Sequence, residues 1–486
     1  MRILFASSEA VPFAKTGGLA DVASGLSKAL VDLGHDVTLV IPYHRQQVPP
    51  SLEIERTSTT ISVPVADRVV SAGICRSKLP GSDVQVLLID QPQYFDRAAL
   101  YTEGGKDYAD NCERFVFFSR GVLEAARACD LRPDILHAND WQSGLAPVYL
   151  AAFYRGQPDF ARTGAVLTIH NMAFQGQFWH WDMRLTGLDW TYFNWRQLEF
   201  WGQLNLLKGG IVFSDVVTTV SPTYAREICT PEFGCGLEGV LAEQGDNLVG
   251  ILNGVDVTEW DPALDRHLPH RYSVADWRDG KAKCKAHLQA RFGLNPDANA
   301  PLLSMVSRLT DQKGLDLIAA TLPELVRSGA QFAFLGTGDP RYEAFVKEAA
   351  SANPQQVAAV VGFDGPLSHE FEAAADLFLM PSRFEPCGLN QQYSMKYGTP
   401  PIVHRVGGLA DSVTDPSDAN GSPATGFVFD RYDADEFLAK TREALRTYHD
   451  ESAWKRIVEN GMRRDCSWKA SAAKYVEQYE RALARH

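Results

Sequence analysis

RILFASSEAVPFAKTGGLADV, residues 2–22, begins as an apolar run, passes through a polar turn and two glycines, and enters a helical pattern running from about Asp21 to Leu33. A short run as apolar as RILFA reads as a strand buried on both faces. Gly17 and Gly18 stand just before the helix, where glycine permits close backbone approach and the unpaired N–H groups attract phosphate oxygens. Lys15 adds a positive charge, and Asp21 falls in the first turn. The same letters also fit a tight strand-to-helix turn with a solvated lysine. GGLAD returns at residues 407–411, in VGGLADSV after TPPIVHR, again as strand, glycine pair and helix. Five shared letters do not establish ancestry, but they suggest that each half brings a glycine-lined helix terminus to a shared cleft. The second copy lacks the lysine and reads more simply as a structural turn.

The pattern continues outward from this stretch. DVTLVIP, VQVLLID, DILHAND, AVLTIHN and VVTTVSP alternate with helical segments, which predicts a parallel sheet covered by helices on both faces. After Asn299 it restarts with PLLSMVSRL, a helix over 315–326, AQFAFLG, VAAVVGF, DLFLMPS and TPPIVHR. Two Rossmann-like α/β units in one chain follow. Between them residues 253–281, rich in Pro, Asp and Trp, read as an ordered linker with the boundary at Asn253 to Val257. At the end, Trp468, Ala472, Tyr475 and Tyr479 recur at helical spacing and predict an amphipathic helix. The expected division is 1–253, 254–465 and a terminal helix over 466–486.

Composition narrows the ligand. The 486 residues carry a net charge of −13 with no acidic or basic block, which argues against nucleic acid and anionic membranes as partners. Eight scattered cysteines without a CxxC pair fit reduced thiols in the cytoplasm better than a disulfide framework or zinc site. The apolar start is broken by Ser7, Ser8 and Glu9, too short for a signal peptide, and no stretch reaches the roughly 18 to 20 apolar residues of a membrane span. No HExxH, P-loop or GxSxG motif is present. The DxD string at Asp433 to Asp435 is explained by helix capping, so no metal site is expected.

Ligands of such sheets bind beyond the carboxyl ends of the strands. In MVSRLTDQKGLDL, Arg308 and Lys313 leave a strand just ahead of a helix, and two cations there suit a diphosphate leaving group. In PSRFEPCGLNQQ, Glu385 stands at a strand end, where a carboxylate can hold sugar hydroxyls, steady positive charge, or simply start a helix. Cys387 reads as a small buried residue and not as a reactive thiolate. LHANDW and LTIHNMAFQGQF place His137, Asp140, Trp141, His170 and Asn171 after two first-half strands, although a lone histidine is more often structural. Trp179, Trp181, Trp190, Trp195 and Trp201 could stack on sugar rings, but core packing is the favoured reading.

KTGGLADV, HANDW, HN followed by QG, SPTYAREI with TPEFG, ILNGVD, SRLTDQKGLDL, PSRFEPCGL and GGLADSV together resemble the bacterial glycogen synthases and plant starch synthases of glycosyltransferase family 5. The resemblance covers essentially the whole chain. It implies a GT-B fold, two Rossmann-like domains facing a deep cleft, with the C-terminal helix crossing back to the first. It implies glucose transfer from ADP-glucose, a co-substrate and not a cofactor, to the non-reducing end of an α-1,4-glucan such as glycogen, with retention and without a metal. Lys15, Gly17, Gly18 and Asp21 then fall at the donor phosphates and sugar, and His170 and Glu385 at the transferred glucose. Arg308 and Lys313 fall at the diphosphate. Asn171, Asn253, Cys387, Gly388 and Leu389 match donor-site stretches, and Asp140 lies toward the acceptor.

Three positions depart from the usual pattern or from related retaining enzymes. Asn390 follows CGL where threonine is usual, so a hydroxyl contact to phosphate is replaced or lost. Phe363 stands where tyrosine commonly lies beside adenine, which keeps the stacking face. Tyr393 lies eight residues after Glu385, where many retaining enzymes carry a ribose-binding glutamate; this weakens a UDP-sugar reading. A UDP-sugar or small-acceptor transferase and a catalytically silent glucan-binding scaffold are the competing readings.

Overall fold

RILFA forms β1, Arg2–Ala6, at the centre of a parallel arrangement in the computed structural model, which describes residues 1–418 and 422–486. Two compact units are present, one of Met1–Gly254 with Trp468–His486, the other of Val255–Ser467.

In the first unit β1 pairs in parallel with β2, Asp36–Pro42. After β3, Glu55–Val65, β4, Arg68–Lys78, and β5, Gln85–Asp90, come β6, Ile135–Asn139, β7, Gly164–Ile169, β8, Val216–Thr219, and β9, Leu248–Gly250. The sheet order is β9-β8-β7-β6-β1-β2-β5-β4-β3. All neighbours are parallel except at the β5-β4-β3 end, an antiparallel ribbon that the sequence reading passes over. ERTSTTISVPV alternates exposed and buried residues toward its end and so offers no continuous apolar run.

The first helix spans Gly18–Asp32, three residues earlier than Asp21, so Gly18 is inside it and Gly17 precedes it. The terminal helix Trp468–Leu483 packs on this unit, with Trp468, Ala472, Tyr475 and Tyr479 all buried. A side chain at Gly25 would lie 2.1 Å from the Trp468 indole nitrogen, so that contact depends on glycine. His137, fully buried in β6, bonds Tyr479 Oη at 2.8 Å and Thr168 Oγ1 at 2.6 Å. It is a structural residue tying the terminal helix to the sheet.

The tryptophan-rich stretch does not build the core. Trp179, Trp181, Trp190, Trp195 and Trp201 are all exposed, from 45% for Trp190 to 84% for Trp201. They lie in or between the short strands Gln177–Trp179, Glu199–Phe200 and Gln203–Asn205 and turns beside them, while Met183, Leu188 and Leu198 fill the interior of that region. Smaller side chains thus take the buried positions that core packing would have given the indoles.

In the second unit β10, Leu302–Val306, β11, Gln331–Gly336, β12, Val357–Val361, β13, Leu377–Met380, β14, Pro401–His404, and β15, Phe427–Phe429, form one parallel sheet in the order β12-β11-β10-β13-β14-β15. The linker is docked on this unit: the Trp260 ring stacks 3.8 Å from both His369 and Tyr393. Asp265 accepts from Tyr397 Oη at 2.5 Å and bonds His369 Nδ1 at 2.7 Å. Asp433 caps the helix Ala434–Tyr448 through the Asp435 and Glu436 amides. Among the described residues, no helix is long and apolar enough to cross a membrane.

Candidate active site

Strand ends position the candidate residues of the first unit. Lys15 Nζ lies 2.8 Å from Asp21 Oδ1 across the glycine turn, and burial raises the Asp21 carboxyl pKa against the pull of Lys15. A Cβ on Gly17 or Gly18 would meet nothing within 4 Å, so the turn opens to free space and the fold itself does not demand glycine there. Beneath it Glu9, only 3% exposed, accepts from Thr16 N, Thr16 Oγ1, Gly17 N and Tyr101 Oη.

Asp140 follows β6 with φ +53°, a left-handed conformation uncommon for a residue with a side chain. Its Oδ1 accepts the His170 amide at 2.7 Å, and burial pushes its carboxyl up to about 7. His170, just past β7, is half-buried, and desolvation lowers its imidazole to about 3, which keeps the ring neutral. Its Nε2 lies 2.9 Å from Asn139 Oδ1, while Asn139 Nδ2 donates to the Ala6 carbonyl at 3.0 Å. That second bond fixes the amide, so Nε2 carries the imidazole proton and Nδ1 is the acceptor. Asn171 Oδ1 accepts the Ala173 amide at 3.0 Å, which turns its own loop. Tyr224, from SPTY, accepts the Met172 amide at 3.0 Å and holds the same loop from the other side. Asn253 is buried shortly after β9.

The second unit holds a cavity of about 200 Å³ beyond β10 and β13, with Arg308, Lys313, Ser382, Glu385, Gly388, Leu389 and Asn390 in its wall. Lys313 Nζ and Glu385 Oε2 are 2.5 Å apart, and Ser382 Oγ donates to the same oxygen at 3.1 Å. Arg308 is exposed, its guanidinium 3.4 Å from Gln312 Oε1. Asn390 Nδ2 donates to the Val306 carbonyl at 2.6 Å, so the amide binds the end of β10, something a threonine hydroxyl at the helix start is less able to reach. Cys387 is buried and Phe363 is 92% exposed; neither lines the cavity.

The second GGLAD backs this wall. Gly408 N donates to the carbonyls of Glu385 and Pro386 at 3.1 Å each. A Cβ at Gly407 would sit 2.1 Å from the Glu385 carbonyl oxygen, and one at Gly408 2.1 Å from that of Cys387. Sequence reasoning singled out neither Glu9, Tyr101, Asn139 nor Ser382 as site residues. Glu9 and Ser382 had a faint signal, as polar residues within three positions of a strand end, and Asn139 stands in the HANDW stretch between His137 and Asp140; Tyr101 had none.

Two α/β units, each with charged and polar side chains gathered past its strand ends, have the architecture of the GT-B glycosyltransferases, and relatives in sequence and structure place the chain among them. The profile of the starch synthase catalytic domain matches residues 2–243, and that of glycosyl transferases group 1 matches residues 288–464. The chain is 47% identical to the glycogen synthase of Anaeromyxobacter dehalogenans strain 2CP-C, covering 100% of both proteins. It is 42% identical to that of Rhodopirellula baltica, covering 100% of this chain and 98% of the relative. The catalytic domain of starch synthase IV from Arabidopsis thaliana, solved bound to ADP and acarbose, matches with a TM-score of 0.91 at 32% identity, covering 100% of this chain and 99% of that one. Sucrose-phosphate synthase from Thermosynechococcus elongatus shares the fold, with a TM-score of 0.60, 19% identity and 100% coverage of both chains. The chain belongs to the glycogen synthase and starch synthase family and is a glucosyltransferase.

Proposed function

We propose that this enzyme transfers glucose from ADP-glucose to the non-reducing end of an α-1,4-glucan with retention of configuration. The observation that carries the reading is the Lys313–Glu385 pair in the second-unit cavity, with Arg308 beside it. When the bond from the anomeric carbon to the diphosphate breaks, its electron pair stays on the phosphate oxygen, and Arg308, Lys313 and the backbone amides of Gly388 and Leu389 stabilise that growing charge. The glucan hydroxyl oxygen forms the new bond to the anomeric carbon, and its proton passes to the departing phosphate on the same face. This route needs no protein nucleophile, and we assign no metal to it.

Glu385 holds sugar hydroxyls and balances positive charge at the reacting carbon. His170, neutral because it is desolvated, presents Nδ1 as an acceptor to a glucose hydroxyl without adding a positive charge beside an oxocarbenium-like centre. Lys15, the Gly17–Gly18 turn and Asp21 hold the donor from the first unit, together with Asn171 and Asn253; Asp140 serves the acceptor side. Phe363 offers an exposed ring face to adenine, and Asn390 a backbone amide to phosphate. We place the enzyme in the cytoplasm, where glycogen is built from a soluble nucleotide sugar.

The test is turnover of purified enzyme with glycogen and either ADP-glucose or UDP-glucose. ADP release with chain lengthening is expected. Faster turnover of UDP-glucose would replace the donor, and glycogen binding without any turnover would favour a scaffold.

A further inference from the structure

We infer that Glu9 is a positioning residue, braced by Tyr101, that holds the KTGG turn in the shape that receives the donor. The inference rests on the donor-side role proposed above for Lys15, Gly17 and Gly18.

Glu9 is a buried carboxylate that accepts from the neutral groups of Thr16, Gly17 and Tyr101. Oε2 accepts Thr16 N at 2.5 Å and Gly17 N at 3.3 Å; Oε1 accepts Thr16 Oγ1 at 2.7 Å and Tyr101 Oη at 2.6 Å. A carboxylate cannot donate, so all four groups must point their hydrogens inward. Ser8 Oγ lies 2.7 Å from Tyr101 Oη, and because the phenol gives its hydrogen to Glu9, Ser8 is the donor in that pair. Desolvation, reinforced by the Glu9 charge, raises the Tyr101 phenol well above its ordinary pKa and keeps that hydrogen in place. The donations from Ser8 through Tyr101 on one side and from the turn on the other therefore converge on Glu9.

The consequence lies in the two amides Glu9 takes. Thr16 N and Gly17 N immediately precede the helix Gly18–Asp32, whose first-turn amides have no intrahelical partners. Tying down the two preceding amides fixes the direction in which those first-turn amides and Lys15 face. Nothing steric does this, since Gly17 and Gly18 have open space where side chains would be. A glycine pair without such a tether would sample many conformations. Charge alone would argue the opposite role, because an anion near a helix start opposes a bound phosphate. Position and charge therefore predict different outcomes for a neutral isostere.

Glu9→Gln can keep the arrangement: its carbonyl replaces Oε2 under the two amides, and its NH2 donates to Thr16 Oγ1 and Tyr101 Oη, which can both accept. Glu9→Ala cannot. We expect Glu9→Ala to raise KM for ADP-glucose and Kd for ADP at least tenfold, Tyr101→Phe to raise both about threefold to tenfold, and Glu9→Gln to restore both to within about threefold of wild type. KM for glycogen should stay within about twofold throughout. Steady-state kinetics and titration calorimetry with ADP read these, with circular dichroism confirming folding. An unchanged donor KM in Glu9→Ala overturns the inference, as does a rise in glycogen KM alone or a Glu9→Gln as impaired as Glu9→Ala. If Glu9→Ala does not fold, Tyr101→Phe decides: donor KM and ADP Kd within twofold of wild type overturn it. Wild-type turnover of ADP-glucose reads the proposed function independently of all the variants.

Discussion

The ammonium of Lys313 and the carboxylate of Glu385 lie 2.5 Å apart, with side chains only 15% and 9% exposed. Each neutralises the other's burial, and removing one leaves a charge without its partner. Lys313→Ala should therefore lower kcat by about 10² to 10³ through loss of charge stabilisation. It should also destabilise the fold by about 3 kcal/mol. Adding Glu385→Gln to it should recover most of the stability and none of the activity. Denaturant unfolding alongside ADP release separates the two effects; activity returning with stability would show that the pair is only structural.

Lys15 and Asp21 make a contrasting pair, 2.8 Å apart but 51% and 30% exposed. Exposed pairs contribute about 0 to 1 kcal/mol, so Lys15→Ala should hardly change stability. Its kcat/KM for ADP-glucose should nevertheless fall at least about tenfold, the loss of one charge-assisted phosphate contact. Val406→Ala, in the buried wall before the second GGLAD, should do the reverse, lowering the melting temperature and keeping kcat/KM near wild type. Equal losses of activity in the two variants would remove the asymmetry between the two glycine turns.

The same asymmetry is sharper in the glycines. A methyl at Gly408 meets the Cys387 carbonyl at 2.1 Å, whereas one at Gly17, with φ −153°, meets nothing. Gly408→Ala must displace the backbone carrying Glu385 and should lose both stability and kcat. Gly17→Ala should keep wild-type stability and act only through the donor KM. Thermal melts and kinetics of the two variants check this, and a fully stable Gly408→Ala is the outcome against it.

What the sequence disclosed and what it withheld have physical causes. RILFA and DVTLVIP are strands buried on both faces, so their apolar runs announce them. ERTSTTISVPV, half exposed at the sheet edge, has no such run. Arg308, Lys313 and Glu385 were legible because strand, loop and helix put each at a strand end within a short local pattern. Glu9 was not, because its partner Tyr101 lies 92 residues away in an irregular loop. The Asp140 contact with the His170 amide likewise spans 30 residues. The five tryptophans misled because an indole's size says how much area it would bury and not whether neighbours such as Met183 and Leu198 have already filled the space.

His137 gives a prediction with a definite sign. Burial lowers its imidazole to about 3 in the folded protein, while an unfolded chain titrates near about 6.5. Between these values the unfolded state binds more protons, so stability is present above about pH 6.5 and is lost as pH falls toward 3. Each such ring contributes about 1.4 kcal/mol per pH unit across that window, and His44 and His170, also lowered to about 3, add to the slope. At pH 7.5, His137→Gln should cost about 1 to 3 kcal/mol, because Tyr479 and Thr168 lose a well-placed partner. At pH 5 that deficit should shrink, since the variant no longer has an imidazole that must be kept neutral to fold. Guanidinium unfolding of both proteins at the two pH values measures it; the same deficit at both would mean that His137 is already protonated inside the sheet.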